Sequence, residues 1–142
     1  MAALAAVVVI AGAWALWTTF ARPNRATEAT LSADVVRTVR SGDMDIVLRA
    51  PGGVLRQGRN TFTIEFRSAA DGALVDAGSV RTSANMAMPG MVMSSGMQVQ
   101  PTGTRGRYTG SADFGMAGAW PISVEWNGPA GRGTVSFEGA VQ

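Results

Sequence analysis

Hydrophobic and polar residues alternate along most of the chain from Asp43 to the C-terminus. Side chains two residues apart share one face of a β-strand, so each alternating stretch predicts a strand with one buried face. The predicted strands contain the stretches Met44–Leu48, Phe62–Phe66, Leu74–Ala77, Ser79–Ala84, Met97–Val99, Tyr108–Phe114, Trp120–Trp126 and Val135–Phe137.

Turn-forming residues separate these stretches, including the pairs Asp71-Gly72 and Asn127-Gly128. About seven short strands without a helical period predict an all-β fold, an immunoglobulin-like antiparallel β-sandwich that occupies residues 43–142. Pro121 has no N–H to donate to a sheet ladder. We therefore expect the strand from Trp120 to Trp126 to lie at a sheet edge or to begin with a bulge.

An uncharged apolar stretch runs from Ala2 to Phe20. As a helix it would be about 28 Å long, close to the roughly 30 Å hydrocarbon thickness of a bilayer. Trp14 and Trp17 lie near its far end, where interfacial aromatic residues anchor a helix, and Arg22 and Arg25 follow at headgroup depth. A cleaved signal peptide is the competing interpretation, but the stretch lacks a basic start and a good cleavage site.

The N-terminal segment therefore predicts one transmembrane anchor helix over residues 1–21. Small residues spaced four apart would let another helix approach it closely, although alanine also serves as plain apolar filler. These candidate helix-packing residues are Ala2, Ala6, Ala11 and Ala15.

Residues 22–42 are rich in Arg, Ala, Thr and Ser and predict a linker. Within it, Leu31, Val35 and Val39 have helical spacing and allow a short helix. The stretch from Ala33 to Arg40 is equally compatible with the beginning of a first strand.

Composition excludes several classes of function. The net charge is +2 and the pI is about 10.4, but residues 27–142 sum to zero and no basic stripe is present, so we do not expect nucleic-acid binding. The chain has no cysteine and no histidine. It therefore lacks disulfides, a thiol nucleophile, and the commonest general base and metal ligand. No catalytic motif is present, and we predict that the protein is not an enzyme.

Five of the eight methionines fall between residues 86 and 97. Pro89-Gly90 interrupts this run and suits the centre of a reverse turn. With extended flanks, Met88 would face Met91, and the side chains of Met86 and Met93 would share the same face.

A methionine patch of this kind has two interpretations. Its soft thioethers can bind copper(I), or its flexible apolar side chains can adapt to a partner surface. In both cases Met116 would join the patch from the turn between Phe114 and Trp120. The residues by themselves leave both interpretations open, and we favour the apolar contact because methionine is more often a packing or docking residue. The patch comprises Met86, Met88, Met91, Met93 and Met116.

The order of several short motifs resembles the YtkA-like and FixH-like family of small membrane-anchored or exported β-sandwich modules. The matching segments are Asp71-Gly72-Ala73-Leu74-Val75, Met88-Pro89-Gly90-Met91-Val92-Met93, Gly106-Arg107-Tyr108-Thr109-Gly110 and Phe114-Gly115-Met116-Ala117-Gly118-Ala119-Trp120. The resemblance implies an extracytoplasmic domain on a single N-terminal helix, involved in copper handling or in assembling membrane redox complexes. Family members often supplement their methionines with histidine, which this chain lacks.

These observations lead to one expected function and one alternative. We expect a non-catalytic accessory or assembly subunit that docks on a larger integral membrane complex for respiratory or photosynthetic electron transfer. The alternative is a periplasmic copper(I) metallochaperone, so the expected cofactor is none or copper(I). By the positive-inside rule, the two arginines beside the anchor favour a cytoplasmic domain. The family resemblance instead implies a single-pass protein of the inner membrane whose domain lies on the periplasmic side.

Overall fold

The computed structural model describes residues 34–142, which form two antiparallel β-sheets packed as a sandwich. A single turn of 3₁₀ helix, Pro51–Gly53, follows the second of the strands. The strands of this region are β1 (Asp34–Ser41), β2 (Met44–Ala50), β3 (Gly58–Ser68), β4 (Ser79–Met88), β5 (Met91–Ser94), β6 (Gln98–Pro101), β7 (Arg107–Phe114), β8 (Gly118–Gly128) and β9 (Gly131–Val141).

The five-stranded sheet has the order β1-β2-β3-β7-β6, and the four-stranded sheet has the order β5-β4-β8-β9. The apolar residues of the alternating stretches lie between the two sheets. Burying a large apolar side chain contributes about 1.5–3 kcal/mol, so this shared interior is the main source of stability. The largest fully buried side chains are Trp120, Phe66, Phe114, Ile46, Leu48, Leu55, Ile64, Ile122 and Val124.

Edge-to-face aromatic contacts join two strands of the five-stranded sheet and also link that sheet to the four-stranded one. The ring of Phe66 lies 5.6 Å from that of Tyr108 and 5.7 Å from that of Trp126, measured between centroids. Near the other end of β8, the rings of Phe114 and Trp120 are 5.1 Å apart. The predicted all-β sandwich is therefore confirmed, with nine strands in the described region instead of about seven.

The sandwich begins earlier than the predicted boundary at residue 43, because β1 occupies the end of the predicted linker. A register shift between Val35 and Arg37 marks a β-bulge in this strand. A bulge inserts one extra residue, so Val36 and Val39, which are three apart, are both half-buried. Residues 34–41 thus form a strand, as the second interpretation of this segment expected, and Leu31 of the helical spacing lies outside the described residues.

The stretch Leu74–Ala77 is not a strand, contrary to the sequence prediction. It links β3 of one sheet to β4 of the other, and its only ladder contact is an isolated bridge from Leu74 to Arg67. The N–H of Val75 donates to the carbonyl of Phe66 at 2.9 Å. A segment that passes between sheets cannot keep a regular ladder with either, which explains the difference.

Pro121 lies in β8, which is an inner strand of the four-stranded sheet. The ladder between β8 and β4 ends at Ile122, opposite Ala84, whereas the ladder with β9 continues through Pro121 to Gly118. The strand is therefore not an edge strand as a whole, but at Pro121 it pairs with β9 alone. The missing N–H is tolerated at this position for that reason.

The predicted anchor over residues 1–21, with Trp14, Trp17, Arg22, Arg25 and the four helix-packing alanines, lies outside the described residues. Within residues 34–142 no helix has the length and apolar character needed to cross a bilayer.

Candidate functional site

The methionine run forms a β-hairpin made of β4 and β5, with Pro89-Gly90 at its turn. Met88 is directly opposite Met91, and Met86 is directly opposite Met93. Residues directly opposite in an antiparallel pair project to the same side of the sheet, so these four side chains share one face. We call this element the methionine hairpin. It brings together the four residues that the sequence placed on one patch.

This shared face continues the interior face of the sandwich. Ala84, two residues before Met86 on β4, is buried in the core and opposite Ile122 of β8. Beyond Ala84, β4 no longer pairs with β8 and has β5 as its ladder partner. The hairpin therefore continues a core-facing row of side chains beyond the last residue pair between β4 and β8.

Among the four methionines of the hairpin, burial is greater at the base than at the tip. Met86 and Met93 are partly buried and pack against the core. Met88 is 36 % exposed, Met91 is 57 % exposed and Val92 is 69 % exposed. In residues 34–142 the only other large apolar side chain with such exposure is Val35. The apolar surface of the sandwich is thus concentrated at the hairpin tip.

The loop between β7 and β8 lies against the base of the hairpin. A Cβ atom added to Gly115 would come 2.8 Å from Cε of Met93, and one added to Gly118 would come 3.3 Å from Cε of Met86. Both glycines thus leave room for a methionine methyl group. Met116 lies between them in sequence and is itself partly buried against the core.

The core holds this loop in place. The indole Nε1 of Trp120 donates a hydrogen bond to the carbonyl oxygen of Met116 at 3.0 Å, and Trp120 is fully buried beside Phe114. The amide of Gln57 donates to the carbonyl of Gly115 at 3.1 Å. The base of the site is therefore a constrained part of the fold, whereas its tip is surrounded by solvent.

The chemistry of the hairpin is limited to soft, uncharged sulfur ligands and apolar contact. Thioethers are suited to copper(I), and they also form adaptable contact surfaces. Within residues 34–142 no group of three or more His, Cys, Asp or Glu side chains is placed to hold a metal ion.

A second polar cluster lies on the outer face of the five-stranded sheet, and the sequence analysis missed it. Glu65 of β3 is 3 % exposed and pairs with three arginines. Its carboxylate lies 3.2 Å from Nε of Arg49, 2.8 Å from a terminal nitrogen of Arg67, and 3.0 Å from Nε of Arg107. We call this group the Glu65 cluster. Its members come from three strands, so only the strand register could have revealed it.

The environment of Glu65 favours its ionised form. Burial by itself would raise the pKa of the carboxyl group, but the hydrogen bonds and positive charges of Arg67 and Arg49 outweigh burial, and the pKa is lowered below the ordinary value. The carboxylate is thus fully engaged by its neighbours. Such a group is suited to fixing strand register and not to proton transfer.

The acidic residues Asp43 and Asp45, which are two apart in sequence, do not form a carboxylate pair. Asp43 lies in the turn before β2, and Asp45 forms an exposed ion pair with Arg40, with 2.8 Å between Oδ1 and Nε. Both are surface residues.

Comparison with known proteins identifies a family for this domain. The YtkA-like family matches residues 38–125, which include β2 to β7, the methionine hairpin and most of β8. No curated protein and no solved structure shows a significant match. The link to FixH-like proteins stays a prediction. The match covers more than half of the chain and spans both sheets, and the chain therefore belongs to the YtkA-like family.

Proposed function

We propose that this protein is a non-catalytic accessory or assembly subunit that docks through its methionine hairpin on a larger integral membrane complex. Membership of the YtkA-like family suggests an extracytoplasmic accessory domain. In our proposal the N-terminal segment anchors the chain in the inner membrane, and the domain contacts an electron-transfer complex on the periplasmic side.

One observation carries the proposal, namely the concentration of exposed apolar side chains at the hairpin tip. Met88 and Met91 lie opposite each other on one face of the hairpin tip, Val92 projects to its other face, and all three are exposed. An exposed apolar patch on a small domain commonly marks a contact surface, and methionine adapts its shape to a partner at little cost. The packed base at Met86 and Met93 would hold this flexible tip in a fixed position.

The test is co-purification of the full-length protein from its native membrane in a mild detergent. We expect the wild-type chain to migrate with a large membrane complex. The double variant Met88→Ser and Met91→Ser should lose that association, because the apolar contact is removed. Val35→Ser is the matched control, since it removes an exposed apolar side chain from β1, outside the hairpin. A wild-type chain that migrates alone, or an equal loss in both variants, would contradict the proposal.

The second candidate is a copper(I) metallochaperone. The observation that favours it is the pairing of Met86 with Met93 and of Met88 with Met91, which puts four thioethers on one face, next to the loop that contains Met116. This set of soft, neutral ligands fits copper(I) and binds it without the negative charge that a divalent ion prefers. A partly exposed set suits transfer of the ion to a partner.

Substitution by leucine separates the two candidates. Leucine keeps the apolar volume of methionine but removes the sulfur. If the hairpin acts by contact, the double variant Met88→Leu and Met91→Leu keeps its complex, whereas the serine variant loses it. If the hairpin carries copper(I), both variants lose the ion when the full-length chain competes with a chromophoric chelator under reducing conditions. Copper binding that both variants retain would remove the second candidate.

A further inference from the structure

The strand β9 is eleven residues long and forms one edge of the four-stranded sheet. In the part of the chain that the structure describes, its ladder partner is β8 alone. On the other side, backbone hydrogen bonds are found just after its C-terminal end, where the N–H of Gln57 donates to the carbonyl of Gln142 and the N–H of Gln142 donates to the carbonyl of Leu55. A long strand edge with unpaired backbone groups is a template for another strand.

The side chains of β9 are self-complementary around Val135. If an identical strand pairs with it in antiparallel orientation, with Val135 opposite its own copy, residue numbers in each pair sum to 270. The resulting pairs are Arg132 with Glu138, Gly133 with Phe137, Thr134 with Ser136, and Val135 with Val135. We propose that two copies of this protein associate through β9 in this register, joining two four-stranded sheets into one.

The outer face of β9 supplies the charge complementarity. Arg132 and Glu138 are exposed, and their opposite residues on β8 are the uncharged Asn127 and Pro121. Neither forms an ion pair with another residue in the range 34–142. In the proposed register the symmetry generates two Arg132–Glu138 pairs between the copies. Opposite charges directly across two strands stabilise their pairing, so the register has an electrostatic preference.

Neighbouring registers lack this match. A slip of two residues in one direction would place Arg132 opposite Ser136, and a slip in the other direction would place it opposite Ala140. A slip of one residue would bring outer-face side chains opposite inner-face ones and is excluded by the pleat.

The inner face of β9 supplies apolar contact. Val135 and Phe137 are only partly buried within one copy. The ring of Trp126 fills the space beside Gly133, where a side chain would collide with it. In the proposed register Phe137 of the second copy lies opposite Gly133 and next to that indole ring. Pairing of an aromatic residue with a glycine across strands is a favourable arrangement.

The proposed association leaves the candidate functional site accessible. In the four-stranded sheet β5 lies at the opposite edge from β9, so the methionine hairpins are at the two far edges of the joined sheet. The inference is therefore independent of what the hairpin binds.

Charge exchange tests the proposal on the full-length chain in mild detergent, with the mass measured by light scattering during size-exclusion chromatography. The wild type should be dimeric. Arg132→Glu and Glu138→Arg, each alone, place like charges opposite each other twice and should raise the dissociation constant about tenfold or more. An equimolar mixture of the two variants should restore dimers, because only the mixed dimer has opposite charges at both sites. A monomeric wild type, or a mixture that stays monomeric, would overturn the proposal.

Cysteine substitution tests the register, since the chain has no cysteine of its own. Val135→Cys should form an intermolecular disulfide readily, because directly opposite Cα atoms are about 4.5–5.5 Å apart. Thr134→Cys and Ser136→Cys should cross-link poorly alone and readily as a mixture. Cross-linking of Thr134→Cys alone with none for Val135→Cys would show a different register, and no preference among positions would overturn the pairing.

Discussion

The Glu65 cluster and the methionine hairpin show two different ways in which this sandwich treats side chains outside its core. In the Glu65 cluster, one buried carboxylate is paired with three arginines from β2, β3 and β7. At the hairpin tip, by contrast, Met88 and Met91 have more than a third of their surface exposed to solvent. In the Glu65 cluster the charged groups pair with one another, whereas at the hairpin tip the apolar side chains are exposed to solvent.

This difference separates a region that stabilises the fold from the region that we propose as a docking surface. A buried ionic group that lost a partner would be costly, so the Glu65 cluster constrains the fold. Exposed methionines add little to folding, so their place at a hairpin tip is better explained by contact with another molecule. The following experiments test that division, because they measure the free energy of unfolding for changes in each region.

The largest effect is expected for Glu65→Gln. The substitution removes the only carboxylate that neutralises Arg49, Arg67 and Arg107 in the cluster. We expect a loss of about 3 kcal/mol in the free energy of unfolding, near the lower end for a broken buried ion pair because the arginines keep some contact with water. Urea denaturation measures it. Asp45→Asn, which affects an exposed pair on the same sheet, is the control and should leave the midpoint nearly unchanged.

A smaller effect of the same origin is expected in acid. The pKa of Glu65 is lower in the folded chain than in the unfolded chain, so the folded state favours the carboxylate. Its stabilising contribution is complete above the unfolded pKa and is lost as the pH falls through the folded pKa. The wild type should therefore lose more stability in acid than Glu65→Gln does. Parallel slopes of unfolding free energy against pH for both proteins would contradict this expectation.

At the hairpin base, Met86→Ala and Met93→Ala should each cost about 1.5 kcal/mol. Buried methionine-to-alanine changes cost about 2–5 kcal/mol, and these side chains are only partly buried. Thermal and urea unfolding measure the change. Met88→Ala at the tip provides the comparison within the same strand, and equal losses at base and tip would show that the burial gradient has no energetic meaning.

The smallest effect on stability is expected at the tip. The double variant Met88→Ser and Met91→Ser should change the free energy of unfolding by at most about 0.5 kcal/mol, as is usual for exposed positions. The same variant is expected to lose its membrane complex, so stability and association would be affected independently. A large loss of stability would place these residues among the structural ones and weaken the docking proposal.

Much of the methionine hairpin was predictable from local sequence. Pro89-Gly90 determines a tight turn, and the two-residue spacing on each side determines that Met86, Met88, Met91 and Met93 share a face. The place of Met116 beside them was inferred from the family resemblance and from its turn. Its support by Trp120, through a bond to the carbonyl of Met116, was not predicted, because hydrogen bonds to backbone atoms depend on the packed core.

Two other segments could not be predicted correctly from local sequence patterns. The spacing of Leu31, Val35 and Val39 is compatible with a short helix, yet residues 34–41 form the strand β1, because pairing with β2 decides their conformation. Leu74–Ala77 has the alternation of a strand but connects two sheets. Its hydrogen bonds depend on its neighbours in space, which the alternation of apolar and polar residues does not reveal.

The class of the domain, its strand periodicity, the turn of the methionine hairpin and the absence of histidine and cysteine all follow from the order of residues along the chain. The exposure of individual methionines, the arginines around Glu65 and the edge position of β9 follow from the packing of the two sheets. The reason is that periodicity and turn geometry are local properties of the chain. Exposure, ion pairing and strand order depend on contacts between residues far apart in sequence, which exist only once the two sheets have formed.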